Sequence, residues 1–143
     1  MIGIIVTGHG NFATGITSAV NLIAGKQQDY ESVDFASLDN TDMLSQHLKE
    51  ALDKLSHCEG IIVFADLLGG SPFKMAVELA YGKPDIAVLA GTNLGEVIEI
   101  SMLRTMENDF ETLVSKATET GKAQHVRFVM PESIDNEDPG DGI

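Results

Sequence analysis

The sequence predicts a doubly wound α/β fold: a mostly parallel open sheet with helices on both faces and a further strand at its C-terminal edge. Three features point there. Short apolar runs ("IGIIV", "IIVFA", "DIAVLAG") recur along the chain. Stretches with a helical apolar period separate them, and glycines follow those stretches as stops. Such β–α–β alternation joins parallel strands by right-handed crossovers. A chain of 143 residues, 43% hydrophobic and 22% charged, suits one globular domain.

Taken in order, "IGIIV" (2–6) is short, continuous and β-branched, as a strand buried on both faces should be. Phe12, Ile16, Ala19 and Ile23 then recur with helical spacing, and Gly25 ends the run. "SVDFASL" (32–38) alternates, with Val33 and Phe35 on one face, as in a strand nearer an edge. Asn40, Thr41 or Asp42 can cap the next helix, whose stripe is Leu44, Leu48, Ala51, Leu52 and Leu55. Gly60 stands beyond its end, and "IIVFA" (61–65) is a second fully apolar strand. In "GGSPF", Ser71 is expected as an N-cap and Pro72 as the first helical residue. Phe73, Val77 and Ala80 or Tyr81 mark a helix face. "DIAVLAG" (85–91) is expected as a third buried strand. Residues 93–121 read as two helical pieces broken near Asn108, and "AQHVRFV" (123–129) alternates as an edge strand would.

The domain is expected over residues 1–130, with 131–143 as an acidic tail. Glu132, Asp135, Glu137, Asp138 and Asp141 fall there without a basic residue, and the composition after Pro131 is that of a disordered segment. The formal charge of -13 argues against nucleic acid and anionic membranes, since no basic patch is available to displace counterions. A basic protein partner fits better, although charge also serves solubility. Cys58 is the single cysteine, so neither a disulfide framework nor a thiolate cluster is expected. The first basic residue is Lys26, and no apolar stretch approaches the roughly 20 residues of a membrane span. A soluble, cytoplasmic protein is expected.

In such sheets ligands sit beyond the carboxyl ends of the strands. His9 follows the first strand and Asp66 follows "IIVFA", so both belong to that edge. Gly8, Gly10 and Ala13 match the dinucleotide fingerprint G-x-G-x-x-G/A, but an imidazole between the glycines fits it poorly. His9, Asp66 and Ser71 could be assembled as a hydrolytic triad, yet Ser71 precedes a proline and no G-x-S-x-G elbow is present. No metal site is expected: His47, His57 and His125 show no ligand spacing. A third chemistry uses the His9 ring as a nucleophile toward a phosphoryl group, with Asp66 fixing the tautomer. Helix N-termini near Gly10 and Ser71 would offer N–H groups to phosphate, and Gly69 and Gly70 would let backbone come close. Capping or turn-forming roles for Asp66 and Ser71 remain open beside this.

"GHG" after the first strand and "DLLGGSPF" after the third closely resemble the IIA domains of the mannose-type sugar phosphotransferase system, over about residues 1–130. The resemblance implies a phosphohistidine carrier in which His9 takes phosphate from the phosphocarrier HPr and passes it to a IIB domain. It implies that Asp66 hydrogen-bonds the histidine, with Gly8, Gly10, Gly70 and Ser71 as candidate phosphate contacts. No metal or organic cofactor is implied. The implied fold has an antiparallel C-terminal edge strand exchanged across a homodimer, which suits "AQHVRFV". Sugar recognition would lie with the membrane IIC and IID components. The related phosphotransfer subunit of dihydroxyacetone kinases, and a non-catalytic regulatory module of the same fold, are the alternatives.

Overall fold

The structure is a computed structural model, and it describes residues 1–132. Four parallel strands form one sheet: β1 (Gly3–His9), β2 (Tyr30–Phe35), β3 (Ile61–Ala65) and β4 (Ile86–Leu89), in the order β2-β1-β3-β4. The helices are α1 (Phe12–Ala24), α2 (Thr41–Lys54), α3 (Ser71–Ala80), α4 (Leu94–Leu103) and α5 (Phe110–Ala123). The residues of β1 and β3 alternate between two cores, as the two-residue period of a strand requires. Ile4, Val6, Ile62 and Phe64 pack under α1, α4 and α5, through Ala13, Val20, Val97, Ile100, Leu113 and Ala117. Ile5, Ile61 and Val63 pack on the other face, against Leu44, Leu48, Ala51, Leu55 and Ala76 of α2 and α3 and the loop between α2 and β3. The central strands are mostly apolar because both faces are covered, and the buried Thr7 hydroxyl of β1 donates to the Val33 carbonyl at 2.9 Å.

The strand order places a switch point between β1 and β3. From β1 the chain crosses to β2 on one side; from β3 it crosses to β4 on the other. The crevice between their carboxyl ends is where a sheet of this class binds ligands.

Several expectations need correction. The buried face of α1 is Ala13 and Val20 with Phe12 and Ile16, and Ile23 is exposed. The anchor is Phe12, which lies so close over Gly8 that a Cβ there would stand 2.5 Å from its Cδ1. In α3 the buried residues are Pro72 and Ala76, with Met75 and Leu79 beside them, while Val77 and Tyr81 face outward. Apolar residues surround that helix, so periodicity alone did not define its phase. The phase is set by Gly70, which takes the extended N-cap conformation and makes Ser71 the first helical residue. Ser71 is therefore not the cap. β4 is only partly buried because it is an outer strand.

The segment 123–129, expected as an edge strand, does not form one here. Ala123 ends α5, and the Gln124 N–H still donates to the Thr120 carbonyl at 3.0 Å. Among the described residues, 125–130 then pair with no strand, and Val126, Phe128, Val129 and Met130 are exposed. Beyond Glu132, the acidic tail lies outside the described residues. Among the described residues no helix is long and apolar enough to cross a membrane.

Candidate active site

His9 is the last residue of β1, and Asp66 directly follows β3. The two strands are hydrogen-bonded neighbours in parallel register, Thr7 beside Ala65, so both side chains emerge at the switch point. His9 Nδ1 lies 2.7 Å from Asp66 Oδ2. The same oxygen accepts the His9 backbone N–H at 2.8 Å, and Oδ1 accepts the Leu67 N–H at 2.8 Å. Burial pushes the Asp66 carboxyl up, but the two His9 donors, the Leu67 N–H and the nearby imidazole together outweigh it and hold the group below its ordinary range. An ionised carboxylate can only accept. In the neutral ring Nδ1 therefore carries the proton, and Nε2 keeps its lone pair.

The side chain of His9 is 44% exposed and that of Asp66 only 10%. The ring is open to large partners while the group orienting it is shielded. Phe35, paired with His9 across β1 and β2, places its ring centroid 5.9 Å from the imidazole at a 60° tilt, within the range of favourable aromatic contacts.

Gly70 closes another side. A Cβ there would stand 2.8 Å from His9 Cε1, the carbon between the two ring nitrogens, so only glycine leaves the imidazole its position. Its N–H donates to the Leu67 carbonyl at 3.1 Å, which leaves it engaged in the turn. The Gly10 N–H is likewise engaged, to the Phe35 carbonyl at 2.8 Å, and Gly10 has a φ of 56°. Gly8 lies within β1, opposite Asp34. These three glycines shape the backbone around the ring. The donors left are at the start of α3, where neither the Ser71 nor the Phe73 N–H has a backbone partner among the described residues. Pro72 has no N–H to offer.

Asp34 was missed by the sequence reading. Its carboxylate accepts the Thr14 N–H at 3.0 Å and the Thr14 hydroxyl at 2.7 Å, and so occupies part of the α1 N-terminus. Of the two helix starts expected to meet a phosphate, α1 thus already holds a carboxylate, whereas α3 has no side-chain cap. Spacing along the chain carries no signal for it; the register of β1 with β2 sets Asp34 beside Gly8. A second missed support is the loop after β4: the Gly91 N–H donates to the Asp66 carbonyl at 2.9 Å, and the Thr92 N–H to that of Ala65 at 3.2 Å. Asn93 and Glu96 hold this loop through a reciprocal capping box at the start of α4. Burial raises the Glu96 carboxyl to about 7 despite the Asn93 N–H it accepts.

Comparison with known proteins identifies the family. Residues 3–118 match the EIIA-man family model, described as "PTS system fructose IIA component". The chain is 31% identical over 121 residues to the "PTS system mannose-specific EIIAB component" of Escherichia coli K12; the match takes in 85% of this chain but 38% of that protein. It superimposes with a TM-score of 0.81 and 33% identity on the phosphotransferase system component EIIA from Streptococcus agalactiae, covering 89% of this chain and 97% of the other. A mannose/sorbose-specific IIA subunit from Enterococcus faecalis shares the fold at a TM-score of 0.83 and 24% identity, covering 92% and 98%. The chain belongs to the EIIA-man family of phosphotransferase system IIA components.

Proposed function

We propose that this protein is a phosphohistidine carrier: His9 accepts a phosphoryl group from phospho-HPr through Nε2 and donates it to a IIB component. The observation that carries the reading is the 2.7 Å contact between His9 Nδ1 and Asp66 Oδ2, which leaves Nε2 as the ring's nucleophile. In the forward step the Nε2 lone pair forms a bond to phosphorus. The bond from phosphorus to the donor breaks, and its electron pair returns to the donor protein. The Nδ1 proton stays where it is, between the ring and Asp66, and the ring carries positive charge while phosphorylated. Asp66 stabilises that charge, and the Ser71 and Phe73 N–H groups are available to phosphoryl oxygens.

The exposed ring suits a protein donor rather than a small molecule held in a closed cavity. Leu67 and Leu68, directly after Asp66, are 62% and 79% exposed and offer apolar surface to such a partner. The membrane components of the transporter would be reached only through IIB, with this chain on the cytoplasmic side. A homodimer belongs to the same reading. Among the described residues β4 has an unpaired outer edge, and residues 125–130 join no strand and present exposed apolar side chains.

The test is incubation of the full chain with the general phosphotransferase proteins and phosphoenolpyruvate. Acid-labile phosphate should appear on the wild type and not on His9→Ala. Label that persists in His9→Ala and maps to His47, His57 or His125 would overturn the site. No label on the wild type would favour a non-catalytic module.

A further inference from the structure

The opposite end of the sheet carries a cluster that phosphate transfer does not use. Asp29 lies in the loop before β2, and His57 and Cys58 in the loop before β3. One ligand atom from each (a carboxylate oxygen, an imidazole nitrogen and a thiol sulfur) falls within 4.8 Å of the other two. His57 Nε2 is 2.8 Å from Asp29 Oδ1 and 3.8 Å from Cys58 Sγ. We propose that Asp29, His57 and Cys58 form a binding site for a divalent transition metal of the zinc type, with water completing a tetrahedral set.

The spacing suits such an ion. Tetrahedral zinc at its ordinary bond lengths sets sulfur and nitrogen about 3.6 Å apart, and nitrogen and oxygen about 3.4 Å apart. Sγ and Nε2 need close only slightly, and Nε2 and Oδ1 need open by roughly half an ångström. The His57 side chain, 62% exposed, has the freedom to make that adjustment. The other two ligands are anchored. The Asp29 carbonyl accepts the Ile4 N–H and Arg104 Nη1, both at 3.0 Å, which fixes the loop. Asp29 holds a φ of 51°, which Asp and Asn tolerate better than other side chains. The Cys58 N–H donates to Leu55, and its sulfur rests over Gly3, where a Cβ would stand 3.2 Å away.

The donor set is that of zinc rather than magnesium or calcium, which favour oxygen alone. A thiolate and a carboxylate balance the two positive charges. The thiol proton passes to buffer on binding, and the imidazole binds as the neutral ring. Arg104 also carries positive charge nearby, although its donors are directed at the oxygens of Ile2, Gln27, Gln28 and Asp29. Its presence favours moderate affinity over that of a permanent structural ion. The bound metal would tie the loop before β2 to the loop before β3, away from His9.

Cobalt(II) is the probe, because the chain has one cysteine and any thiolate-to-cobalt charge-transfer band must come from it. The untagged, reduced full chain titrated with Co²⁺ should develop that band with tetrahedral d–d absorption, saturate at one ion per chain, and lose both to excess Zn²⁺. Zn²⁺ should also raise the melting temperature. Cys58→Ser should abolish the band. His57→Gln and Asp29→Asn should each weaken binding at least as much as the roughly 10–100-fold typical of losing an outer-shell partner. His9→Ala should bind normally, and Cys58→Ser should still take up phosphate at His9, so failure here leaves the carrier reading standing. Matching circular dichroism of the metal-free variants shows that they fold. No band in the wild type, unchanged affinity in both His57→Gln and Asp29→Asn, or one ion shared by two chains would each overturn the site.

Discussion

Asp66→Asn is the substitution that most directly probes the carrier. The carboxylate accepts three N–H groups, two on Oδ2 and one on Oδ1. An asparagine must put its NH₂ on one side or the other, and donors already occupy both. Turned toward Leu67, it meets an N–H head-on. Turned toward His9, it faces the backbone N–H and forces Nδ1 to become an acceptor, which moves the ring proton to Nε2 and removes the nucleophile. Either arrangement loses at least one hydrogen bond to a charged group, so stability should fall by about 1.5–3 kcal/mol. The rate should fall further, because the phosphorylated ring also loses its counter-charge; a drop of roughly 10²–10⁴-fold is expected, the range for a mispositioned or wrongly tautomerised histidine. Single-turnover transfer from phospho-HPr measures the rate, and urea unfolding measures the stability. Ser71→Ala is the comparator: it leaves the Ser71 N–H in place and should cost far less. Wild-type transfer by Asp66→Asn would refute the orienting role, because no amide orientation preserves all three contacts.

Gly70→Ala should fold, since its φ of -71° suits alanine, yet displace the ring its methyl would meet at 2.8 Å; the expected result is slower phosphate uptake with little change in unfolding midpoint. Glu96 is raised from 4.5 to about 7, so the folded chain binds its proton more tightly than the unfolded chain and stability drains away as pH rises through that window. The loss is worth about 3 kcal/mol, and Glu96→Gln should remove it; urea unfolding at pH 5 and pH 8 should show a smaller difference in the variant. Truncation after Gln124 removes the exposed apolar segment while sparing α5, and sedimentation should show a wild-type dimer and a truncated monomer. A dimer that survives would place the interface elsewhere.

The sheet and the His9–Asp66 pair were legible because both rest on local signals. The buried strands are uninterrupted apolar runs, and their ends locate the two side chains without any knowledge of helix packing. The phase of α3 was not legible, since Pro72, Phe73, Met75, Ala76 and Val77 crowd its first two turns and only the Gly70 cap breaks the tie. The edge strand expected at "AQHVRFV" is not formed for a related reason: an alternating segment is a strand only where a neighbour accepts its backbone, and the described residues of one chain offer it none. Asp34 and the Asp29–His57–Cys58 cluster depend on contacts across 20 or more positions, which spacing along the chain does not reveal. The glycines beside His9 matched a dinucleotide fingerprint and were implied as phosphate contacts. The structure supplies other causes: Gly8 makes room for Phe12, and Gly10 takes a left-handed turn.

Those causes bear on how a carrier avoids becoming a trap. A phosphohistidine held too tightly would accept phosphate and fail to release it, so useful interactions must lower the barrier without deepening the intermediate. The contacts around His9 have that character. The Asp66 oxygens are satisfied before any phosphate arrives, and the Gly70 and Phe35 contacts fix the ring in the same state. Orientation and tautomer are thus settled in advance, and both accepting and donating steps share the benefit. Apart from contacts to phosphoryl oxygens at the start of α3, what phosphorylation adds is the ring charge, and there the partly exposed position of His9 matters. Water screens the Asp66 attraction enough to keep it moderate, whereas a fully buried pair would bind the charged intermediate more strongly. In the proposed carrier, the half-open ring over a shielded carboxylate would therefore serve departure of the phosphoryl group as much as its arrival.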